Sequence, residues 1–248
     1  MLTQGNRKLG GRLIWSFSLP SAWPDVCVGM SELCRQHCYA RRVEALRPAV
    51  LARYEANYRL SLAPDFASCV RAFLVWRGVA VVRLHVGGDF YSPDYAGKWL
   101  RVMRRLPGVR FYFYTRAWRD ESVRVVLERM AALPNCRAWY SCDRETGVPS
   151  AVPPRVRLAW LSVTADDLPP PSAGLVFRTR ALRRREATRL NGVRVCPGED
   201  GVPRGDEVTC ERCQLCWRPL PEAPAPRVSL PVLPAEDSPP DSHPQEGR

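Results

Sequence analysis

Cysteines carry the most specific chemistry in this chain. Three fall in Cys27-Val-Gly-Met-Ser-Glu-Leu-Cys34-Arg-Gln-His-Cys38, and four more are Cys196 and the run Cys210-Glu-Arg-Cys213-Gln-Leu-Cys216. Thiolates this close in sequence can converge on one soft metal centre with little backbone strain. Three thiolates from one loop leave a coordination position open. On a 4Fe–4S cluster, one iron is then free to take a small molecule. On zinc, the position is open to water or to a fourth ligand, for which His37 is the nearby candidate. The second set is closed, because Cys196, followed by Pro197, supplies a fourth thiolate. A closed set fits a structural zinc or a second 4Fe–4S cluster. Its two-residue intervals resemble ferredoxin loops more than zinc ribbons, so iron–sulfur is preferred at both sets, with zinc open as the alternative at the C-terminal one. Cys69 and Cys136 read as ordinary core thiols, and Cys142 is the one further candidate for a functional thiol.

These ligands must be positioned by a scaffold. Apolar, β-rich runs at Arg12–Ser18, Val79–Val86, Val109–Tyr114, Arg137–Ser141, Arg157–Leu161 and Gly174–Arg178 read as strands, with a short further run at Gly192–Val195. Helical stretches fall at Val43–Leu62, Asp65–Trp76, Asp94–Arg105 and Asp120–Ala132, the last with Asp120 as N-cap. Alternation of this kind implies an α/β fold with parallel pairing and right-handed crossovers. A doubly wound sheet and a partial (βα) barrel of about six parallel strands both fit, and the barrel is the preferred expectation. In either, function gathers where strands end, and those ends are polar here: Gly87-Gly88-Asp89, Thr115-Arg116-Ala117-Trp118, Cys142-Asp143-Arg144-Glu145, Ser162 to Asp167, and Thr179-Arg180. Asp89, His85, Arg116 and Asp143 are the candidate catalytic residues. By strand parity Arg83 and His85 share a face. Trp118 is placed to stack on a base, and Arg116 to bind a carboxylate or phosphate.

The formal net charge is +12, although the stretch 221–248 carries two basic and five acidic groups. The basic excess of the remainder favours a nucleic acid, a nucleotide or a phosphorylated substrate, and Arg183-Arg184-Arg185 is a candidate phosphate contact. A genome-wide preference for arginine accounts for the excess equally well, since only Lys8 and Lys98 are lysines. No apolar leader and no run of about 18 apolar residues is present, so neither secretion nor a membrane span is expected, and clustered cysteines then point to a cytoplasmic metalloprotein. The expected organisation is a barrel with the first cysteine set over 1–190, a Cys-rich metal-binding cap over 191–220, and a disordered Pro-rich tail over 221–248.

Several stretches in one order carry a resemblance. They are Gln4-Gly-Asn6-Arg-Lys8-Leu-Gly10, the first cysteine motif with its Tyr39-Ala40, Arg83-Leu-His85-Val-Gly87-Gly88-Asp89-Phe-Tyr-Ser92, Tyr112-Phe-Tyr-Thr115-Arg116-Ala-Trp118, Ser141-Cys-Asp143-Arg-Glu-Thr-Gly147, and the closing cysteines. Together they resemble the gene product 88 proteins of phages and plasmids, over about residues 4–218. A looser resemblance is to radical S-adenosylmethionine (SAM) enzymes, which carry three cysteines after the first strand of a partial barrel and a Gly-Gly-Glu-Pro-like motif after the second. That likeness implies a 4Fe–4S cluster on Cys27, Cys34 and Cys38, with SAM chelating the open iron. Gly87, Gly88 and Asp89 would bind the SAM amino group, with Thr115 and Ser141 completing the cofactor site. It further implies an external electron donor and a 5′-deoxyadenosyl radical acting on an unknown substrate. Two features depart from that pattern: the spacing, six then three intervening residues, and Asp89-Phe90 in place of Glu-Pro. The other reading is a nucleic-acid-binding protein of the phage or plasmid type, with structural zinc or iron–sulfur sites and no SAM chemistry.

Overall fold

The computed structural model describes residues 1–6, 8–179, 182, 188–198 and 208–218. Arg180, the Arg183–Arg185 run and the tail from Pro219 onward lie outside the described residues. The chain opens with β1 (Thr3–Asn6) and β2 (Gly10–Phe17), then α1 (Glu32–Gln36), α2 (Tyr39–Leu46), α3 (Pro48–Leu62) and α4 (Phe66–Trp76). There follow β3 (Val81–Leu84), α5 (Pro93–Arg105), β4 (Arg110–Thr115), α6 (Glu121–Ala131), β5 (Cys136–Cys142), β6 (Val156–Ser162) and β7 (Leu175–Arg178). A small antiparallel pair, β8 (Arg189–Leu190) and β9 (Val193–Arg194), and the single turn α7 (Cys210–Cys213) complete the described elements.

Seven strands form one sheet in chain order from β1 to β7. β2 to β7 are parallel, and β1 pairs antiparallel with β2. The α/β expectation therefore holds, with an added antiparallel edge. β1 was not expected because Thr-Gln-Gly-Asn has no apolar alternation. Its register is interrupted at Gly5, whose φ of +55° is a glycine conformation. The stretch expected as one helix over Val43–Leu62 is two, α2 and α3. Arg47, ahead of Pro48, has φ −139° and ψ 84°, as the proline ring disfavours the helical conformation at the residue before it.

Asp120 does cap α6, accepting from the Ser122 and Val123 amides at 2.9 and 3.2 Å. Asp120→Ala is expected to cost about 1 kcal/mol, read as a lower urea midpoint at unchanged m-value.

Alternation along the strands divides the core in two. Trp15, Phe17, Val82, Leu84, Phe111, Phe113, Ala138 and Tyr140 pack with residues of α4, α5 and α6 such as Val70, Trp99 and Leu127. The opposite side chains cluster with the closing segment: Ile14, Val81 and Tyr112 with Trp217, Cys210 and Cys216, and Trp139, Ala159 and Leu175 with Cys196 and Leu215. Helices thus cover one face, and residues 208–218 lie on the other.

The sheet curls toward that second face. Strands spaced about 4.8 Å apart would put β2 and β7 roughly 24 Å apart in a flat sheet. Yet Lys8, in the β1–β2 turn, holds its Nζ 5.3 Å from the Phe177 ring of β7, and Tyr114 of β4 meets the same ring at 5.1 Å.

Candidate functional site

The loop after β2 brings the first cysteine set to the C-terminal edge of the sheet. Ser31 caps α1 by accepting from the Cys34 amide at 3.0 Å, and Cys38 caps α2 through its sulfur. Cys27, Cys34 and Cys38 lie near enough to influence one another electrostatically, and Asp89 is beside Cys27. Burial, then the Asp89 charge, raises the Cys27 thiol well above its ordinary value, while a hydrogen bond from the Ala22 backbone opposes the rise. Burial also raises Cys34, against the pull of the neighbouring Arg116 guanidinium. His37 is exposed at the C-terminus of α1.

The strand exits lock this loop in place. Arg116 pairs with Asp143 at 2.7 Å, and the same carboxylate oxygen accepts from Ser31 Oγ at 2.6 Å. The other Asp143 oxygen accepts from the Glu145 and Thr146 amides. Burial would raise the Asp143 carboxyl, but Arg116 and these donors outweigh it and hold the group below its ordinary value. Glu145 accepts from the Leu33 amide, and Arg119 donates to the Gly29 carbonyl at 3.1 Å. Arg116 and Asp143 therefore meet at the cysteine loop as an ion pair, while the adjacent Arg144 is exposed. The Ser141 carbonyl accepts from Trp118 Nε1 at 3.0 Å, and the indole stacks on Tyr140, so Trp118 is spent on packing rather than held open for a base.

Gly87 and Gly88 form the tight turn after β3. Gly88 has φ +75°, and a Cβ there would lie 2.5 Å from the Leu19 side chain. Asp89 points inward, and burial raises its carboxyl despite its hydrogen bonds. One oxygen accepts from Phe90 N and from Thr115 Oγ1 at 2.6 Å, the other from the Arg116 and Ala117 amides. Asp89 thus ties the β3 exit to the β4 exit, with neither oxygen left over.

His85 does not share a side with Arg83. Strand β3 ends at Leu84, so alternation no longer applies one residue later. His85 packs against Phe17, Phe90 and Tyr95, with Nε2 2.8 Å from the Tyr95 hydroxyl, and burial lowers its pKa to about 3. Arg83 lies over Tyr114 on the opposite face. Cys142 is fully buried, and burial pushes its thiol up to about 12, a setting for an inert thiol.

One residue beside the site escapes sequence reasoning. Glu44 of α2 is buried, with Oε2 accepting from the Ser21 amide at 3.2 Å and Oε1 lacking any partner. A Cβ on Gly87 would stand 3.2 Å from Oε1. Ser21 Oγ accepts from Gly88 N, and the next residue, Ala22, bonds the Cys27 sulfur. Glu44, the Gly87-Gly88 turn and the cysteine loop therefore meet at Ser21-Ala22. A glutamate in an Arg-rich helical stretch reads as a solvated face, so no local signal marks it.

The second cysteine set lies on the sheet face opposite α4, α5 and α6. Cys196, Cys210, Cys213 and Cys216 all line one cavity, with Leu175 and Trp217. Sheet side chains fix the backbone around it: Trp139 Nε1 donates to the Cys216 carbonyl, Arg157 to Leu215 and Arg137 to Arg218, at 3.0 to 3.2 Å. Burial raises the Cys216 thiol to about 11. Among the described residues, no three His, Cys, Asp or Glu side chains close on one point as a single metal ion requires. Nor is any described helix long and apolar enough to cross a membrane.

The gene 88 proteins of Mycobacterium phage L5 and Mycobacterium phage D29 are each 29% identical to the chain over 150 residues, covering 56% of this chain and 60% of the relative. The chain thus aligns with three-fifths of the length of these curated relatives. No solved structure matches it. A family model described as gene product 88 matches residues 1–219, a span that holds both cysteine sets and every strand exit described above. On that coverage, the chain belongs to the gene product 88 family.

Proposed function

We propose that this protein is an iron–sulfur enzyme of the radical SAM type, built on a partial (βα) barrel. The observation that supports it most is the placement of three thiols, within electrostatic reach of one another, beside the Gly87-Gly88 turn and an unpaired carboxylate oxygen at one edge of the parallel sheet. In this reading Cys27, Cys34 and Cys38 hold a 4Fe–4S cluster. Held there, such a cluster would supply an electron, drawn from an external donor, for reductive cleavage of SAM to methionine and a 5′-deoxyadenosyl radical able to take a hydrogen atom from substrate.

The chain's residues have distinct parts. Asp89, fully engaged by four donors, shapes the turn and does not meet the ligand. The SAM ammonium group would instead go to Glu44 Oε1, because a buried carboxylate oxygen with no donor is costly until a cation reaches it. In this reading Ser141 would bound the ligand space from the β5 exit, while Thr115, whose hydroxyl is engaged by Asp89 and the Ala117 amide, would support it from behind. Arg116 keeps a cationic guanidinium beside Cys34, favouring its thiolate. Spread around one cavity rather than drawn to a point, the four C-terminal thiols suit a polynuclear cluster better than a lone zinc ion, whose thiolates crowd at about 2.3 Å from the metal. The substrate class favoured by the basic charge is a nucleotide or nucleic acid.

Anaerobic purification, iron and sulfide quantitation, and EPR of the dithionite-reduced protein with and without SAM test this reading. A reduced-cluster signal that changes on adding SAM is expected, and Cys27→Ala should abolish the change while leaving the far-UV CD spectrum intact. Zinc alone, or a signal indifferent to SAM, would overturn it in favour of a nucleic-acid-binding protein with structural metal sites.

A further inference from the structure

Arg83 is a buried cation that no described acid pairs with. The residue is 7% exposed, and its Nε has no hydrogen-bond partner. Its guanidinium reaches the Tyr39 hydroxyl at 3.4 Å and lies over the Tyr114 ring. Among the described residues, the titratable groups nearest it are Tyr39 of α2, Tyr112 and Tyr114 of β4, and Cys210 of α7, with Tyr54 of α3 and Cys216 also within electrostatic reach, and Glu44 on the far side of the same Tyr54. No described carboxylate makes an ion pair with the guanidinium. Burying a guanidinium among neutral groups is strongly unfavourable, so the fold must provide an anion nearby.

Two buried hydroxyls stand in the same place. The Tyr112 hydroxyl has no partner and faces Cys210 and Cys216, and the Tyr114 hydroxyl meets the Cys216 sulfur and faces Cys196. A cation and two hydroxyl donors thus converge on the thiols that line the cavity. Tyrosine hydroxyls cannot supply the missing charge at neutral pH, whereas thiols become thiolates when a metal binds. Four thiolates around a core of charge +2 leave two negative charges to be balanced from the protein.

We propose that Arg83 is the internal counter-cation of a metal–thiolate centre held by Cys196, Cys210, Cys213 and Cys216, and that the Tyr112 and Tyr114 hydroxyls donate hydrogen bonds to its sulfurs. The inference rests on the reading of these four cysteines as ligands but not on SAM chemistry. It gives Arg83 a positioning and charge-setting role. For iron–sulfur, a cation and donors at the sulfurs raise the reduction potential. For zinc, they slow loss of the metal.

The test uses the full chain, purified anaerobically, as wild type and as Arg83→Met, Arg83→Lys, Tyr114→Phe and Cys213→Ala. Iron and zinc are quantified before and during challenge with EDTA, and any reduced signal that survives Cys27→Ala is titrated potentiometrically. Arg83→Met is expected to weaken metal retention by roughly 10- to 100-fold and to move the potential of a C-terminal cluster to a more negative value. Arg83→Lys should keep most of the retention, and Tyr114→Phe should show a smaller loss. Metal release and potential unchanged in both Arg83→Met and Tyr114→Phe would overturn the role of Arg83. Should Arg83→Met fail to fold, unchanged release from both Arg83→Lys and Tyr114→Phe would do the same. If Cys213→Ala keeps the wild-type metal content, the cysteine set is not the ligand set and the inference falls with it.

Discussion

Asp143→Asn is expected to lower stability by about 3–5 kcal/mol, the range for removing one partner of a buried ion pair and leaving the other charged. Asp143 is fully buried and Arg116 is 7% exposed, so water cannot take over the lost pairing. The asparagine still accepts some of the hydrogen bonds from Ser31, Glu145 and Thr146, but it leaves the guanidinium uncompensated beside Cys34. For a chain of this size the loss corresponds to a melting temperature lower by roughly 10 °C, measured at matched iron content. Adding Arg116→Met should recover part of it, since a double removal strands no charge. No recovery would mean that Asp143 acts through its backbone hydrogen bonds instead. The pH dependence has a definite sign. The folded carboxyl lies below its ordinary value of 3.8. Its contribution is therefore complete above that unfolded-state value and is lost as pH falls through the lower folded one, a loss that Asp143→Asn should remove from the acid limb.

The residues that organise this site show which features were legible in the chain. Cysteine spacing, strand alternation and the polar strand exits are local patterns, and the alternation led to the parallel sheet. The pairing of Arg116 with Asp143, 27 residues apart in sequence, was out of reach because nothing local says which acid an arginine meets across two loops. His85 was misplaced by a strand that stops at Leu84, two residues sooner than its sequence implies. Asp89 was read as facing a ligand, but four hydrogen-bond donors turn its oxygens inward. Glu44 and Arg83 were invisible as a pair of buried, incompletely partnered charges. A charged residue carries no sequence mark of burial, and the partner that would explain it comes from elsewhere in the fold. Strand β1 was lost for the opposite reason: its pairing rests on backbone bonds to β2, with no apolar side chains to announce it.

Gly29→Ala is expected to disturb the cysteine loop more than any comparably small change in the chain. A Cβ at this position would lie 1.8 Å from the Arg116 carbonyl oxygen and 2.3 Å from its carbon, and both are backbone atoms that no rotamer can move aside. Overpacking costs about 1–3 kcal/mol and sometimes more, and a collision with backbone belongs at the upper end. Relief requires the loop after β2 to lift off the β4 exit. That movement stretches the 3.1 Å bond from Arg119 to the Gly29 carbonyl and draws Ser31 away from Asp143. Because Cys27 and Cys34 flank Gly29 on the same loop, the expected readouts are a lower melting temperature, less iron at matched reconstitution, and faster labelling of the Cys27 and Cys34 thiols by a maleimide in metal-free protein. Gly108→Ala is the control, since no atom lies within 4 Å of a Cβ there. Wild-type stability and labelling in Gly29→Ala would show that the two loops separate freely. In that case the contact between the cysteine loop and the Arg116 exit would not hold the three thiols together.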